Sequence, residues 1–437
     1  MLKSLKSRFP KSPLLILEAV MFILLTDIMG LEKIRYGIDS FMKSDLSVHN
    51  GKRTALLSNY SAMNSELKRT IDLLGHCKEL NLTTLLAPEH GINGNYQAGE
   101  NVPMYIDKNT GLPVISLYDQ TSGQNAGLPK DLDERMRNFD TSEEGKKIDP
   151  EALENIDLII MDLQDIGTRI YTYISTMGYL MEALAGTDKE LIILDRPNPI
   201  TGSRFEGPVL QYPDYSSFVG FYSIPVRHGL TVGELALMFN DKLYSNKTRI
   251  SIEKTVNWER EMWFDHFGAN WVNPSPNIPS LNTAIVYPGM VFLEGTNLSE
   301  GRGTTTPFEI FGAPWLDGYT LSGELGKKDL KGVVFQDIVF RPLFSKYSGK
   351  NCRGIRMLIS DRDQFSPFVT MLHILSAIEE IQPGKLIIYD KYFNKIAGNS
   401  AITAMLLNGE KPDRIIESCG KSLSEFKSDC KKYLLYD

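Results

Sequence analysis

Cysteine, tryptophan and histidine are all scarce in this chain: four, four and six among 437 residues. Cys77, Cys352, Cys419 and Cys430 show no metal-ligand spacing, and Cys419 and Cys430 stand too far apart for a C-x-x-C pair. The composition excludes a disulfide scaffold, and the thiols decide neither metal binding nor redox compartment. No H-x-H or H-E-x-x-H occurs among the histidines, so no zinc spacing is present. There is no G-x-S-x-G elbow, which argues against an α/β-hydrolase esterase. There is no G-x-x-x-x-G-K-[ST] and no G-x-G-x-x-G after the first strand, so no nucleotide fingerprint appears. Positive charge is not in excess: 47 Lys and Arg against 54 Asp and Glu leave a net −7, which speaks against a nucleic-acid binder.

What is present is ordinary globular material, 42% hydrophobic and 23% charged. At about 150 residues per domain the length points to two or three domains. Lys3, Lys6, Arg8 and Lys11 precede an apolar run from Pro13 to Leu25. That order resembles a secretory signal, although Glu18 interrupts the run and no A-x-A-like cleavage site follows. The run is also shorter than the roughly 20 residues of a membrane span. Residues 1–35 are therefore read as a signal or anchor, with a periplasmic or secreted protein expected; a plain amphipathic helix in a cytoplasmic protein is the alternative. Membrane association is expected only through this segment.

From Arg53 a βα rhythm starts. Arg53–Ser58, Leu82–Ala87, Pro113–Leu117, Asp157–Met161 and Leu191–Leu194 are short runs of apolar character, as strands covered on both faces require. Helices are expected after Asn64 or Ser65 (Leu67, Ile71, Leu74), over Arg169–Leu184, and over Thr231–Phe239. In the last, Thr231 and Glu234 form a capping box. The polar stretch Thr121–Pro150 reads as a surface insertion or lid. Residues 271–320, dense in Pro, Gly, Thr and Asn, read as a long ordered loop region. Strand-like Val333–Val339 and Arg356–Ile359, helical Phe368–Ile381 and a final helix near Leu423–Leu435 follow. The expected architecture is α/β: a Rossmann-like domain with a mostly parallel sheet over 36–255 and a smaller α+β domain over 256–437.

Three strands run into acids: Leu85–Pro88 into Glu89-His90-Gly91, Leu158–Met161 into Asp162 and Asp165, and Leu191–Leu194 into Asp195. Ligands of open α/β sheets bind outside the carboxyl ends of strands, so these acids are candidates for proton transfer. Each taken singly also suits a buried acid that caps a turn. Glu89 lies between rigid Pro88 and permissive Gly91; His90 can orient it, bind substrate or ligate a metal. Arg169 suits carboxylate recognition, and Tyr171 and Tyr173 suit either sugar hydroxyls or packing. Glu294–Thr306 (E-G-T-N-L-S-E-G-R-G-T-T-T) offers Glu294, Asn297, Glu300, Arg302 and Thr304 in a Gly-punctuated loop suited to a polyhydroxylated, anionic ligand. Trp258, Trp263, Trp271 and Trp315 suit core packing or sugar stacking.

These segments, together with E-G-P (206–208), I-P-V-R-H-G-L-T-V-G-E-L-A (224–236), P-S-P-N-I-P (274–279) and Y-P-G-M-V-F-L-E-G-T-N-L-S-E-G-R-G-T-T-T-P-F-E (287–309), resemble the NamZ-type exo-β-N-acetylmuramidases of bacteria from about Tyr36 to Tyr436. The resemblance implies release of N-acetylmuramic acid from the non-reducing end of peptidoglycan fragments, in a cleft between the two domains. It implies no cofactor, no metal and no nucleic-acid partner. Glu89 matches the leading catalytic carboxylate and is expected to be the general acid, with His90 beside it. Glycoside cleavage usually needs a second carboxylate; Asp162, Asp165, Glu206 and Glu294 are the candidates, unless the 2-acetamido group of the substrate assists. The lactyl carboxylate of muramic acid requires a cation: Arg302, Arg169 or Arg227. His228 completes the expected substrate contacts. A sugar-binding protein without turnover, and a metal-dependent hydrolase using His90, Asp162 and His228, are the competing readings.

Overall fold

The computed structural model describes residues 33–117, 148 and 150–437. The signal-like segment and nearly all of the expected 121–150 insertion lie outside them. In chain order the elements are α1 (Gly37–Phe41), β1 (Arg53–Ser58), α2 (Thr70–Gly75), β2 (Asn81–Ala87), β3 (Tyr105–Ile106), β4 (Pro113–Ser116), β5 (Leu158–Asp162), α3 (Tyr173–Leu184), β6 (Glu190–Leu194), β7 (Glu206–Val209), β8 (Pro225–Arg227), α4 (Val232–Tyr244) and β9 (Arg249–Glu253). The second half adds α5 (Leu281–Met290), β10 (Ile310–Ala313), α6 (Gly318–Gly326), β11 (Val333–Phe340), β12 (Cys352–Ile359), α7 (Pro367–Ile381), α8 (Asp390–Ala397), α9 (Ala401–Leu407) and α10 (Pro412–Asp429).

The main sheet has the order β3-β4-β2-β1-β5-β6-β9, parallel throughout except for the antiparallel edge strand β3. Without that edge strand the path is the doubly wound one: outward from β1 through β2 to β4, then back across β1 to β5, β6 and β9. The reversal between β1 and β5 is a topological switch point, where the loops part and leave a crevice. The strands are apolar throughout because alternate residues enter two different cores. Leu57, Ile159, Met161, Leu191 and Ile193 point to one face, Leu56, Leu158, Ile160, Ile192 and Leu194 to the other.

The smaller C-terminal region is α+β, with the antiparallel sheet β10-β12-β11. Its Phe292, Phe311, Leu372 and Phe393 belong to the same apolar cluster as Leu57 and Ile159, so one core runs beneath both halves of the crevice. At about 25 cal/mol per Å² of buried apolar surface, such a shared core opposes hinge opening.

Three expectations are corrected. The helix expected from Arg169 starts at Tyr173, because the Arg169 amide donates to Val226 O (2.8 Å) and so joins β8 rather than a helical turn. The helix expected after Asn64 starts only at Thr70. Asn64 Oδ1 accepts the amides of Glu66 and Lys68, and Leu67 adopts φ 62°, which closes a turn instead. The loop expected over 271–320 contains α5, a 3-10 helix Val291–Gly295 and β10. Pro288 sits inside α5, against its usual helix-breaking effect. At the next residue, Gly289, a Cβ would stand 2.0 Å from Pro367 O, so the helix packs backbone to backbone on α7 there. The capping box of α4 forms as read, with Thr231 Oγ1 accepting the Glu234 amide and Glu234 accepting the Thr231 amide.

Candidate active site

The switch point brings four segments together. Asn59 follows β1, Glu89 follows β2, the 163–172 loop follows β5, and the 272–278 segment crosses over them. Asn59 Nδ2 donates to the Tyr173 hydroxyl (2.7 Å) and to Pro274 O (3.2 Å), and Tyr173 donates to the same carbonyl (2.7 Å). Pro88 and Gly91 make the turn behind Glu89: the Gly91 amide donates to Pro88 O (3.0 Å), and His90 and Gly91 both adopt positive φ. A side chain at Gly91 would meet the Tyr96 ring at 2.9 Å.

Glu89 is half-buried. Thr172, the N-cap of α3, donates its hydroxyl to Glu89 Oε2 at 2.5 Å, and the Gly99 amide donates to Oε1 at 3.1 Å. The carboxyl thus stands at the N-terminus of α3, where the helix dipole favours negative charge. His90 lies behind it, with Nδ1 against Tyr96 O (2.8 Å).

Asp165 is 5% exposed. Its Oδ2 accepts the Gly167 amide (2.6 Å) and faces His228 Nε2 (3.2 Å); its buried Oδ1 has no hydrogen-bond partner among the described residues. The charges of Glu89 and Asp165 both act on the hydroxyls of Tyr173 and Tyr287. From the C-terminal region, Arg302 donates Nη2 (2.7 Å) and Nε (3.2 Å) to Glu294 Oε1, while Tyr392 donates to Glu294 Oε2 (2.8 Å). Arg302 also lies 3.6 Å from Glu300 and over the Phe308 ring. The charges of Glu294 and Arg302 reach Tyr287 as well. Tyr287 packs edge-on against Tyr171 from the first half and Phe308 from the second, and it feels charges from both.

Several expected contact residues serve the framework instead. Arg169 is 0% exposed and donates to the carbonyls of Pro208, Ile224 and Ile396; burial lowers its pKa to about 9. It staples backbone together and offers nothing to a ligand. Arg227 pairs with Glu206 across the β7–β8 ribbon and donates to Ile200 O. Asp162 is fully buried between Arg196 (2.5 and 3.0 Å) and Thr70 (2.5 Å). Tyr173 is buried with its hydroxyl satisfied on both sides, and Tyr171 is enclosed beside Ser275 and Tyr173. Asn297 holds Ile387 N and Lys385 O, and Thr304 closes a turn on Gly301 O. Glu300 is buried against Lys346. Trp258 and Trp263 are core residues. The common cause is tertiary: these polar groups are taken up by backbone carbonyls or charged side chains that the fold brings from distant parts of the chain.

Residues that the sequence reading missed are Asn59, Thr172, Tyr287, Tyr392 and Lys346. Lys346 donates to Leu293, Glu294 and Leu298 carbonyls and so fixes the loop that carries Arg302. Asn59 carried a legible signal, as the residue after the first strand of a doubly wound sheet. His90, Asp162 and His228 have separate partners, and among the described residues no three His, Cys, Asp or Glu side chains gather as a metal site.

Similarity to known proteins follows the same lines. The chain is 40% identical over 405 residues to the peptidoglycan β-N-acetylmuramidase NamZ of Bacillus subtilis, covering 92% of each. Two DUF1343-family crystal structures from Bacteroides fragilis share the fold. One has TM-score 0.81 and 32% identity, the other 0.71 and 27%; each match covers 93% of this chain and 99% of the other. The sequence profile of the exo-β-N-acetylmuramidase NamZ N-terminal region matches residues 54–282, and that of its C-terminal region matches 285–436. With both profiles matched in order over nearly all of the described chain, this protein belongs to the NamZ family of glycosidases.

Proposed function

We propose that the chain is an exo-acting glycoside hydrolase that releases N-acetylmuramic acid from the non-reducing end of peptidoglycan fragments, with Glu89 as general acid. The observation that carries this reading is the setting of Glu89. It is a half-buried carboxyl at the switch-point crevice, oriented by Thr172 and Gly99, and its charge acts on the same tyrosine, Tyr287, as those of a second carboxyl and a guanidinium. In that setting Glu89 delivers its proton to the glycosidic oxygen as the bond to the anomeric carbon breaks.

Asp165 is the best-placed second carboxyl, since Asp162 is sealed against Arg196 and Glu206 against Arg227. Held by His228 and the Gly167 amide, it supplies negative charge near the developing oxocarbenium ion. Among the three guanidinium candidates, Arg302 alone keeps an appreciable part of its side chain exposed, 18%; it is the group assigned to the lactyl carboxylate.

The test is hydrolysis of a chromogenic N-acetyl-β-muramide and of longer glycan strands. Wild-type protein releases the monosaccharide alone from strand ends, and Glu89→Gln loses about 10²–10⁴-fold in rate while still binding the sugar. Release of internal fragments would refute the exo mode, and a near-normal rate for Glu89→Gln would remove it as the acid. Saturable sugar binding without any turnover would leave a binding protein.

We also propose that the segment Lys3–Leu25 directs the protein out of the cytoplasm. Retention of a reporter fused to residues 1–35 inside the cell would contradict this.

A further inference from the structure

Tyr287 lies in α5, one residue before Pro288 and two before the Gly289 that seats the helix on Pro367. Its ring is fixed from two sides, edge-on to Phe308 (centroids 4.8 Å apart, 80°) and to Tyr171 (6.4 Å, 87°). The residue is only 6% exposed. Buried tyrosine hydroxyls normally find a partner, as Tyr173 and Tyr392 do here. Tyr287 is different: its hydroxyl makes no hydrogen bond with a described residue, and unlike the Tyr171 oxygen it is not closed off from solvent. Arg302 lies over the same Phe308 ring, 5.1 Å from its centroid, so the tyrosine and the guanidinium share a neighbour, and the charges of Glu89, Asp165, Glu294 and Arg302 all act on Tyr287.

The charges that act on Tyr287 are three carboxylates and one guanidinium, and the guanidinium has already given two N–H groups to Glu294. An anionic substituent binding among these charges needs a further donor that does not itself carry charge. Burial keeps the phenol protonated, so it can donate but not repel. We propose that the Tyr287 hydroxyl is a substrate-contacting, specificity-determining group that donates a hydrogen bond to the carboxylate on the C3 substituent of the bound muramic acid, beside Arg302. This rests on the muramidase reading above.

Tyr287→Phe keeps the ring and its two edge contacts and removes only the hydroxyl. Two measurements test the assignment. The first compares kcat/KM for aryl N-acetyl-β-muramide and aryl N-acetyl-β-glucosaminide, which differ in the C3 acid. Tyr287→Phe is expected to lose tenfold or more on the muramide, chiefly in KM, and to stay within twofold on the glucosaminide. Equal losses on both sugars, or none on the muramide, would overturn the proposal. The second is calorimetric binding of free N-acetylmuramic acid, which needs no turnover. Weaker binding by Tyr287→Phe than by wild type supports the contact even if the protein proves not to hydrolyse glycosides. Equal binding, or no binding by wild type, overturns it.

Discussion

The Thr172 hydroxyl donates to the Glu89 carboxyl at 2.5 Å from the N-cap of α3. A helix that follows β5 therefore sets the direction of a side chain that follows β2. Thr172→Val keeps the shape and removes the donor, and the carboxyl loses its short hydroxyl contact. The expected result is a fall of about tenfold in kcat, the cost of roughly one hydrogen bond, with KM within twofold. Thr172→Ser should recover most of the rate. An unchanged kcat for the valine variant would show that the Thr172 hydroxyl does not set the working position of Glu89.

Arg302 bonds Glu294 through Nε and Nη2 and leaves part of its side chain open. Arg302→Ala is expected to weaken muramic acid recognition by about 10- to 100-fold, as loss of a charge-assisted contact does, and N-acetylglucosamine recognition far less. Competition binding with the two free sugars measures the difference. Parallel losses would mean that Arg302 acts only by holding Glu294.

Asp162 contributes to stability and not to turnover. It is closed in by Arg196 and Thr70 at the end of β5, and Asp162→Ala leaves a buried guanidinium uncompensated. The expected cost is about 3–5 kcal/mol, read by urea unfolding, with kcat of the folded fraction kept. A large fall in kcat with stability intact would return Asp162 to the active site.

Asp195 gives the fold a pH dependence. It accepts from Thr231, Gly233, Arg196 and Tyr436, yet burial outweighs these donors and pushes its pKa up to about 6. An acid whose pKa is higher in the folded chain binds its proton more tightly there. This stabilisation is complete below the unfolded value near 4 and is lost as pH rises through 6. Between pH 7 and 4 it amounts to about 3 kcal/mol. Unfolding free energies at pH 7 and pH 5 should differ in that sense for wild type, and by less for Asp195→Asn. A wild-type difference of the opposite sign, matched by the variant, would refute the assignment.

Much of this was legible before any coordinates. β1 spans the run read as a strand, residue for residue, because an apolar segment covered on both faces has no other use in a chain of this composition. The α4 capping box was legible because its bonds are local. Where the partner was distant, the residues misled. Arg169 looks like a ligand cation in D-L-Q-D-I-G-T-R, and its carbonyl partners lie 39, 55 and 227 residues away. Pro288 and Gly289 hid α5, since both disfavour helix locally and the close packing on Pro367 that Gly289 permits comes from a distant part of the chain.

The sequence by itself determined the alternation of strands and helices, the acids at the strand ends and the family motifs that carry Glu89. Apolar periodicity and turn chemistry are written in neighbouring residues. Only the tertiary structure decided which polar groups stay available to a ligand. It tied Arg169, Asp162 and Tyr173 to partners from other elements and left the Tyr287 hydroxyl without a hydrogen bond to any described residue. Whether a donor or acceptor is satisfied depends on what the fold brings within about 3 Å of it, and chain order does not contain that distance.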